Sequence, residues 1–392
     1  MFKIEKNFLD WIEKNLTVIV FVLGNIVSLL IRYVFKDIVS GDYTRFLEGW
    51  YNQIYEGGGI ASLREQVGNY NFLYQICIAI MTYFPIKPLY AYKILSILFD
   101  YLLAIAVAVV VGIVSSDNKK NNALIAYFVV LFSPIVILNS SAWAQCDSIY
   151  VFWVIIAVIF LFKEKYFLTF IFLGMSFSFK LQAVFILPFF LLIYFVNKKF
   201  SIFNFVIIPL TMLITGLPVL LFGRSVFDIF LIYSDQTNRY TKVAMNYPSF
   251  WSILFNVNST DYYNSQKFAA VFLTIVVLAV IMIWWIANNV ELNNQNMVYL
   301  AFTLSYTCVL FLPQMHERYG YLYEILAIIL VMINRKTIKL IIPLYIITLI
   351  TYGNFLFGLG YGIDIYIGIA NIFVWFSYMN LISKEVIKSS EK

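Results

Sequence analysis

Between two apolar runs, near 297–312 and 320–333, the chain reads Leu312-Pro313-Gln314-Met315-His316-Glu317-Arg318-Tyr319. About 17–20 consecutive apolar residues suffice for a helix to cross a bilayer. A few polar residues wedged between two such runs therefore read as a tight turn at a membrane face. His316 is the only histidine in the 392 residues. Working outward, the same alternation of apolar run and brief polar break fills most of the chain, so the expected fold is an all-α polytopic membrane protein. Composition agrees: 62% of residues are hydrophobic and 12% charged, where a soluble domain carries about 25% charged residues. Mean hydropathy is +0.84.

Counting runs gives about twelve spans. They lie near 16–35, 89–114, 121–138, 147–162, 166–179, 181–196, 203–222, 268–287, 297–312, 320–333, 337–352 and 361–382. The fifth and sixth are short and read as tilted, partial, or one element broken around Lys180. Alternate loops carry the lysines: Lys3, Lys6 and Lys14; Lys119-Lys120; Lys163 and Lys165; Lys198-Lys199; Arg335-Lys336 and Lys339; and Lys384, Lys388 and Lys392. The positive-inside rule puts this set, with both termini, in the cytoplasm of a multi-pass cell-membrane protein. The 288–295 loop has no lysine and is neutral. Charges followed by an apolar stretch from about Leu16 to Ile31, with no small-residue cleavage site, read as a retained signal anchor.

The net charge of +6 mostly reflects loop lysines and does not indicate a nucleic-acid surface. Cys77, Cys146 and Cys308 are odd in number at unrelated spacings, so they form neither a disulfide framework nor a metal site. No Gly-x-x-x-x-Gly-Lys motif and no room for a soluble domain are found, which leaves a single integral membrane domain, 1–392. Its outer face carries two long segments, 36–88 and 223–267, rich in Tyr, Asn, Gly and Trp. Short amphipathic helices lying on the outer membrane surface are expected there.

Chemically capable residues gather on that outer face. Asp42 opens the first outer segment, where a carboxylate serves as a general base or as a solvated cap. Trp143, Gln145 and Asp147 lie where the third run gives way to the fourth. An indole packs on the apolar face of a sugar and an amide bonds its hydroxyls, whereas an interfacial Trp belt with Asp147 as a helix cap is the plainer alternative. Lys180 either snorkels to the surface or, with Gln182, meets an anionic headgroup. His316, Glu317 and Arg318 form the densest cluster: Arg318 offers a fork suited to phosphate, and His316 adds a donor, or a charge if its pKa is raised. Arg224, Arg239 and Lys242 add positive charge on the same face. Lys93 and Asp100 share one helical face but are too far apart to pair, so each is expected to meet another helix. No Asp-x-Asp pair occurs in the first outer segment, so a divalent metal is not indicated.

The order of these motifs resembles the GT-C superfamily of integral membrane glycosyltransferases: an acid after the first span, Trp-x-Gln-x-Asp, Phe-Lys-x-Gln with a following Leu-Pro, and a late His-Glu-Arg-Tyr. The likeness is to bacterial relatives of the GPI-anchor mannosyltransferases and of the dolichol-phosphate-glucose-dependent glucosyltransferases, and it covers roughly Asp42 to Tyr319. The resemblance implies inverting transfer of one sugar from a polyprenyl-phosphate donor to an extracytoplasmic glycan, glycolipid or protein acceptor. It implies Asp42 as base and Arg318, His316 and Lys180 on the lipid phosphate, with Trp143, Gln145, Asp147, Gln182, Glu317 and Tyr319 left for sugar or acceptor. Two other classes fit the same outline: a transporter or flippase of a lipid-linked saccharide, and a polysaccharide polymerase or ligase.

Overall fold

The computed structural model describes residues 2–255, 262–360 and 365–390, and the described residues form helices and turns with no β-strand. Residues 256–261 of the second outer segment, 361–364 at the start of the last run, and Lys392 lie outside the described residues, as does the Lys388 side chain.

The longer helices are α1 (Lys3–Val34), α2 (Glu48–Glu56), α3 (Phe72–Met81), α4 (Pro88–Val114), α5 (Lys119–Phe132), α6 (Asp147–Phe162), α7 (Tyr166–Phe179), α8 (Leu187–Asn197), α9 (Ile207–Thr215), α10 (Asp228–Asn238), α11 (Tyr263–Ala287), α12 (Asn294–Phe311), α13 (Tyr321–Ile333), α14 (Ile338–Phe357) and α15 (Ile365–Ser390). Every one of the apolar runs carries a helix. Among the described residues five stretches are long and apolar enough to cross a membrane: Lys3–Val34, Pro88–Val114, Tyr263–Ala287, Arg335–Phe357 and Ile365–Ile387. A sixth results if Lys119–Phe132 and Pro134–Ala142, bent by 46°, count as one. The other runs form shorter or less apolar helices. Asp147–Phe162, at 16 residues, is about 24 Å long, short of the roughly 30 Å hydrocarbon core.

The shortening has local causes. Pro134 lacks an N–H and disfavours helix at Ser133, which is extended (ψ 123°), so α5 stops there. Lys180 ends α7 in extended backbone, and the chain re-enters through a 3₁₀ turn, Leu181–Ile186. α1 begins at Lys3, well before the apolar run, because its charged first turns are helical too. In the first outer segment, α3 is no surface helix: Phe72, Tyr74, Gln75, Ile78 and Ala79 are buried. The second segment is helical at α10, and its expected end at 267 falls inside α11.

α4 packs on α5 and α6, α6 on α7, and α7 on α9. α12 is buried on all sides from Asn296 to Phe311 and packs against α11 and α13, as a helix apolar all round must be. Contacts join the lysine-bearing loops in pairs. Lys199 Nζ meets Glu164 Oε1 at 2.5 Å, Lys336 Nζ meets Glu385 Oε1 at 2.9 Å, and Gln295 Nε2 donates to the Val114 carbonyl at 2.8 Å. The last bond brings the lysine-free 288–295 loop to the end of α4, next to Lys119-Lys120. The two long segments are stitched together. Arg224 donates to Gln66 Oε1 at 2.8 Å, to Gln75 Oε1 and to the Glu65 carbonyl. Arg224 is therefore a buried brace, not a surface charge.

Lys93 and Asp100 do meet other elements. Lys93 Nζ donates to the carbonyls of Phe35, Lys36 and Ile38 at 2.7–2.9 Å, closing the exit of α1. Asp100 Oδ2 accepts from Arg32 Nη2 at 3.1 Å and Ser140 Oγ at 2.6 Å, and both partners of the ion pair are buried. Removing one member of a buried pair leaves an uncompensated charge and costs about 3–5 kcal/mol, whereas replacing both by apolar residues is often neutral. Asp100→Leu is therefore expected to lower thermal stability in detergent sharply, and Arg32→Met with Asp100→Leu to restore most of it. Equal loss in the single and double variants would show that the pair is not the source.

Candidate active site

Asp42 is buried at the start of a short wide turn, Tyr43–Leu47, and its side chain makes no capping bond to that turn. Instead its Oδ2 accepts from Trp143 Nε1 at 2.9 Å, from Gln145 Nε2 at 2.9 Å and from Arg318 Nη1 at 3.2 Å. Among the described residues no hydrogen bond reaches Oδ1. Trp143 and Gln145 reach the same oxygen because the backbone between them reverses: Ala144 has φ +62°, an unfavourable conformation for a side-chain-bearing residue. The Trp143 N–H donates to the Leu138 carbonyl and the Gln145 N–H to that of Asn139, both at 2.9 Å, and hold the turn. Ser40 Oγ ties it to the exit of α1 by donating to the Trp143 carbonyl at 2.9 Å.

Arg318 is the hub. Its Nη1 lies 3.2 Å from Asp42 Oδ2 and 3.3 Å from Glu317 Oε1, its Nε 3.6 Å from Asp147 Oδ2, and its Nη2 donates to Tyr70 Oη at 3.1 Å. The guanidinium carbon stands 5.5 Å from the Trp143 ring centre. The loop that presents it is fixed from outside, since the Tyr247 N–H donates to the Met315 carbonyl at 3.1 Å and the Gln314 N–H to that of Val243 at 2.8 Å. Gly320 ends the loop where a Cβ would fall 2.6 Å from Tyr323 Oη and 2.8 Å from Glu324 Oε1, so no larger residue fits without a shift.

Asp147 opens α6 and lies behind the hub. Its Oδ2 accepts from Asn139 Nδ2 at 2.9 Å and its Oδ1 from Lys180 Nζ at 2.5 Å. The Lys180 side chain is 1% exposed, and its Nζ is 5.1 Å from the Tyr70 ring centre. Lys180 therefore does not snorkel, and its charge is already matched by Asp147.

These residues border a cavity of about 610 Å³. Asp42, Gln145, Gln182, His316, Glu317, Arg318 and Tyr319 line it, and Trp143, Asp147 and Lys180 do not. Trp143 has no free face for a sugar: its ring is fully buried, stacked on Phe355 at 4.7 Å and edge-on to Tyr352 at 5.1 Å. Its part is to aim Asp42. Part of the wall is apolar (Leu181, Val184, Phe185, Val271, Phe355) and part polar. Tyr70, in the first long segment, was given no site role by the sequence. It lines the cavity, and its hydroxyl donates to Gln145 Oε1 at 3.0 Å while accepting from Arg318. Burial pushes its phenol pKa up, so it stays a donor. Among the described residues no cluster of three metal-ligating side chains occurs.

Three carboxyls (Asp42, Asp147, Glu317) face two cations (Arg318, Lys180). Burial raises the Glu317 pKa, against the pull of Arg318. His316 is held uncharged: burial, then the positive Arg318 and Lys180, push its pKa down to about 3. At neutral pH His316 therefore faces the cavity as a neutral donor or acceptor.

A scan against protein-family models finds no match to the chain, and a search of curated proteins finds no similar sequence.

Because the chain has one histidine, its imidazole signals in an NMR titration need no assignment. They are expected to report a neutral ring from pH 8 down to about 4, given the pKa near 3. Unfolded chain binds this proton below about pH 6.5. The His316 contribution to stability is therefore present above that pH and is lost as pH falls toward 3, by at most about 1.4 kcal/mol per unit. Glu317, with its raised pKa, contributes in the opposite sense, losing stability as pH rises through its folded value. An imidazole midpoint near 6.5 would place His316 in open solvent and contradict this geometry.

Proposed function

We propose that the chain is a multi-pass membrane glycosyltransferase of the GT-C type, with about twelve spans, both termini cytoplasmic and the cavity extracytoplasmic. It would move a single sugar, with inversion, from a polyprenyl-phosphate donor to a glycan, glycolipid or protein acceptor. The contacts that join the lysine-bearing loops in pairs, and the polar site away from them, support this orientation. The half-apolar, half-polar cavity wall suits an amphiphilic, lipid-linked ligand.

The observation that carries the reading is the Asp42 carboxylate. Three donors hold one oxygen, and the other is free to take a proton at the cavity. In the step proposed, an acceptor hydroxyl gives its proton to Asp42 Oδ1 and its oxygen attacks the anomeric carbon. The bond from that carbon to the phosphate oxygen breaks, and its electron pair leaves with the lipid phosphate. A positioned base contributes about a hundredfold to ten-thousandfold, and fixed cations lower the barrier where negative charge develops. Gln145, Gln182, Glu317 and Tyr319 line the cavity and are available to sugar hydroxyls. Trp143, Asp147 and Lys180 act from behind, holding Asp42 and Arg318.

One observation favours a flippase reading. Arg32, Asp100 and Glu324 are ionisable groups buried within α1, α4 and α13, and transporters keep such groups at membrane depth. The discriminating experiment is transfer from a synthetic polyprenyl-phosphate sugar by purified protein in detergent, where a flippase does nothing. Asp42→Asn is expected to lower the transfer rate by about two to four powers of ten while donor binding survives, because size and the three incoming donors are kept. Near-normal turnover in that variant would remove Asp42 from the mechanism. Lipid-linked saccharide movement in proteoliposomes without any transfer would favour the flippase.

A further inference from the structure

Three more cations line the same cavity and belong to none of the pairs above: Arg45, Arg239 and Lys267. Contacts gather them on one side. The Arg239 guanidinium carbon lies 5.5 Å from the ring centre of Phe46, the residue next to Arg45. Lys267 Nζ donates to the Thr237 carbonyl at 2.8 Å and to Asn238 Oδ1 at 3.1 Å, immediately before Arg239. Among the described residues none of the three forms an ion pair. Arg45 and Arg239 are exposed and Lys267 half-buried. Arg318, by contrast, is matched by three carboxylates and Lys180 by one.

The cavity also holds acceptors without donors. Gln182 Oε1 and Asn69 Oδ1 are buried, belong to residues that line the cavity and have no hydrogen-bond partner among the described residues; the Gln182 residue is 5% exposed. A buried unpaired acceptor costs about 1–3 kcal/mol, which a hydroxyl-rich ligand relieves. Geometry separates the two sets of cations. In an inverting displacement, attacking and leaving oxygens lie on opposite sides of the anomeric carbon. Arg318 is bonded to the oxygen of the base itself at 3.2 Å, so it stands on the attacking side.

We propose that Arg45, Arg239 and Lys267 form a subsite for a phosphate ester, distinct from the Asp42–Arg318 pair. The inference rests on the glycosyl-transfer reading for the identity of the ligand. The phosphate belongs either to the lipid donor, where the subsite takes up the charge of the departing oxygen, or to a phosphodiester-bearing acceptor.

The test is equilibrium binding to the full chain in phosphatidylcholine nanodiscs. The probes are farnesyl phosphate and a glycerol-phosphate trimer, each against its uncharged counterpart, farnesol or glycerol. Bound probe is expected to change the fluorescence of Trp50, which lines the cavity. Arg45→Gln with Arg239→Gln, and the triple variant adding Lys267→Gln, are expected to weaken at least one phosphate probe by about tenfold or more per residue and to flatten its salt dependence. Arg64→Gln, which removes an exposed charge outside the cavity, is expected to change neither probe. An effect on farnesyl phosphate assigns the subsite to the donor, and one on the glycerol-phosphate trimer to the acceptor; either supports it. Absence of phosphate binding in wild type, or unchanged binding in the folded double and triple variants, overturns it. Binding that needs these cations without any sugar transfer would sink the glycosyltransferase reading alone. Transfer by the triple variant at unchanged KM for both substrates would sink the subsite alone.

Discussion

Everything at the polar end of the bundle depends on one guanidinium gathering three carboxyl groups away from water. Arg318 touches Asp42, Asp147 and Glu317, and its side chain is 12% exposed. Like charges so close would drive one another to protonate or separate were the cation absent. The fork matters as much as the charge, because its nitrogens point in different directions and serve acids from three parts of the chain. Lys180 binds the other oxygen of Asp147, and the guanidinium lines the cavity. The site is thus an electrostatic keystone: the positions of Asp42, the 312–320 loop and the start of α6 are solved together or not at all.

The bundle is built to leave room for this arrangement. Helices α6, α7 and α13 are short, at 16, 14 and 13 residues, and their ends open onto Asp147, Lys180 and the Arg318 loop respectively. Had each run continued as helix, apolar side chains would occupy the space that now holds the cavity. Irregular backbone at this depth is tolerable because it is covered by protein or lines a polar cavity. The two long outer segments, stitched by Arg224 and by Asn71 Nδ2 donating to the Ile229 carbonyl at 3.3 Å, close over the remaining side.

Much of this was legible in sequence, for a specific reason. Apolar runs announce helices by composition, and each run proved helical. A polar residue that interrupts such a run must be satisfied, so Asp42, Gln145, Asp147, Lys180 and Arg318 stood out and do meet. Their roles were less readable. Nothing local says that Trp143 points inward between Phe355 and Tyr352 rather than toward a sugar, or that Lys180 is paired from 33 residues away. Tyr70 is one of 29 tyrosines, in a segment already polar and aromatic; only its contact with Arg318, 248 residues on, distinguishes it. Arg239 was noted only as one more positive charge on that face, and nothing local joined it to Arg45 and Lys267, because charges in polar loops do not say which of them the fold brings to one wall. Helix ends were misjudged wherever charged residues continue a helix beyond its apolar part, as in α1.

The separation of partners along the chain has a consequence in time. Asp42 and Arg318 are 276 residues apart, and ribosomes add about 5–20 residues per second. The acid is therefore made tens of seconds before its counter-charge. Trp143 and Gln145 arrive first, 101 and 103 residues after Asp42, and are neutral donors able to shelter the carboxylate in the interval. The nascent chain thus passes through a half-built stage in which Asp42 is hydrogen-bonded but not charge-balanced. Charge balance waits for Arg318, just before α13, and the aromatic lid of Tyr352 and Phe355 follows on α14.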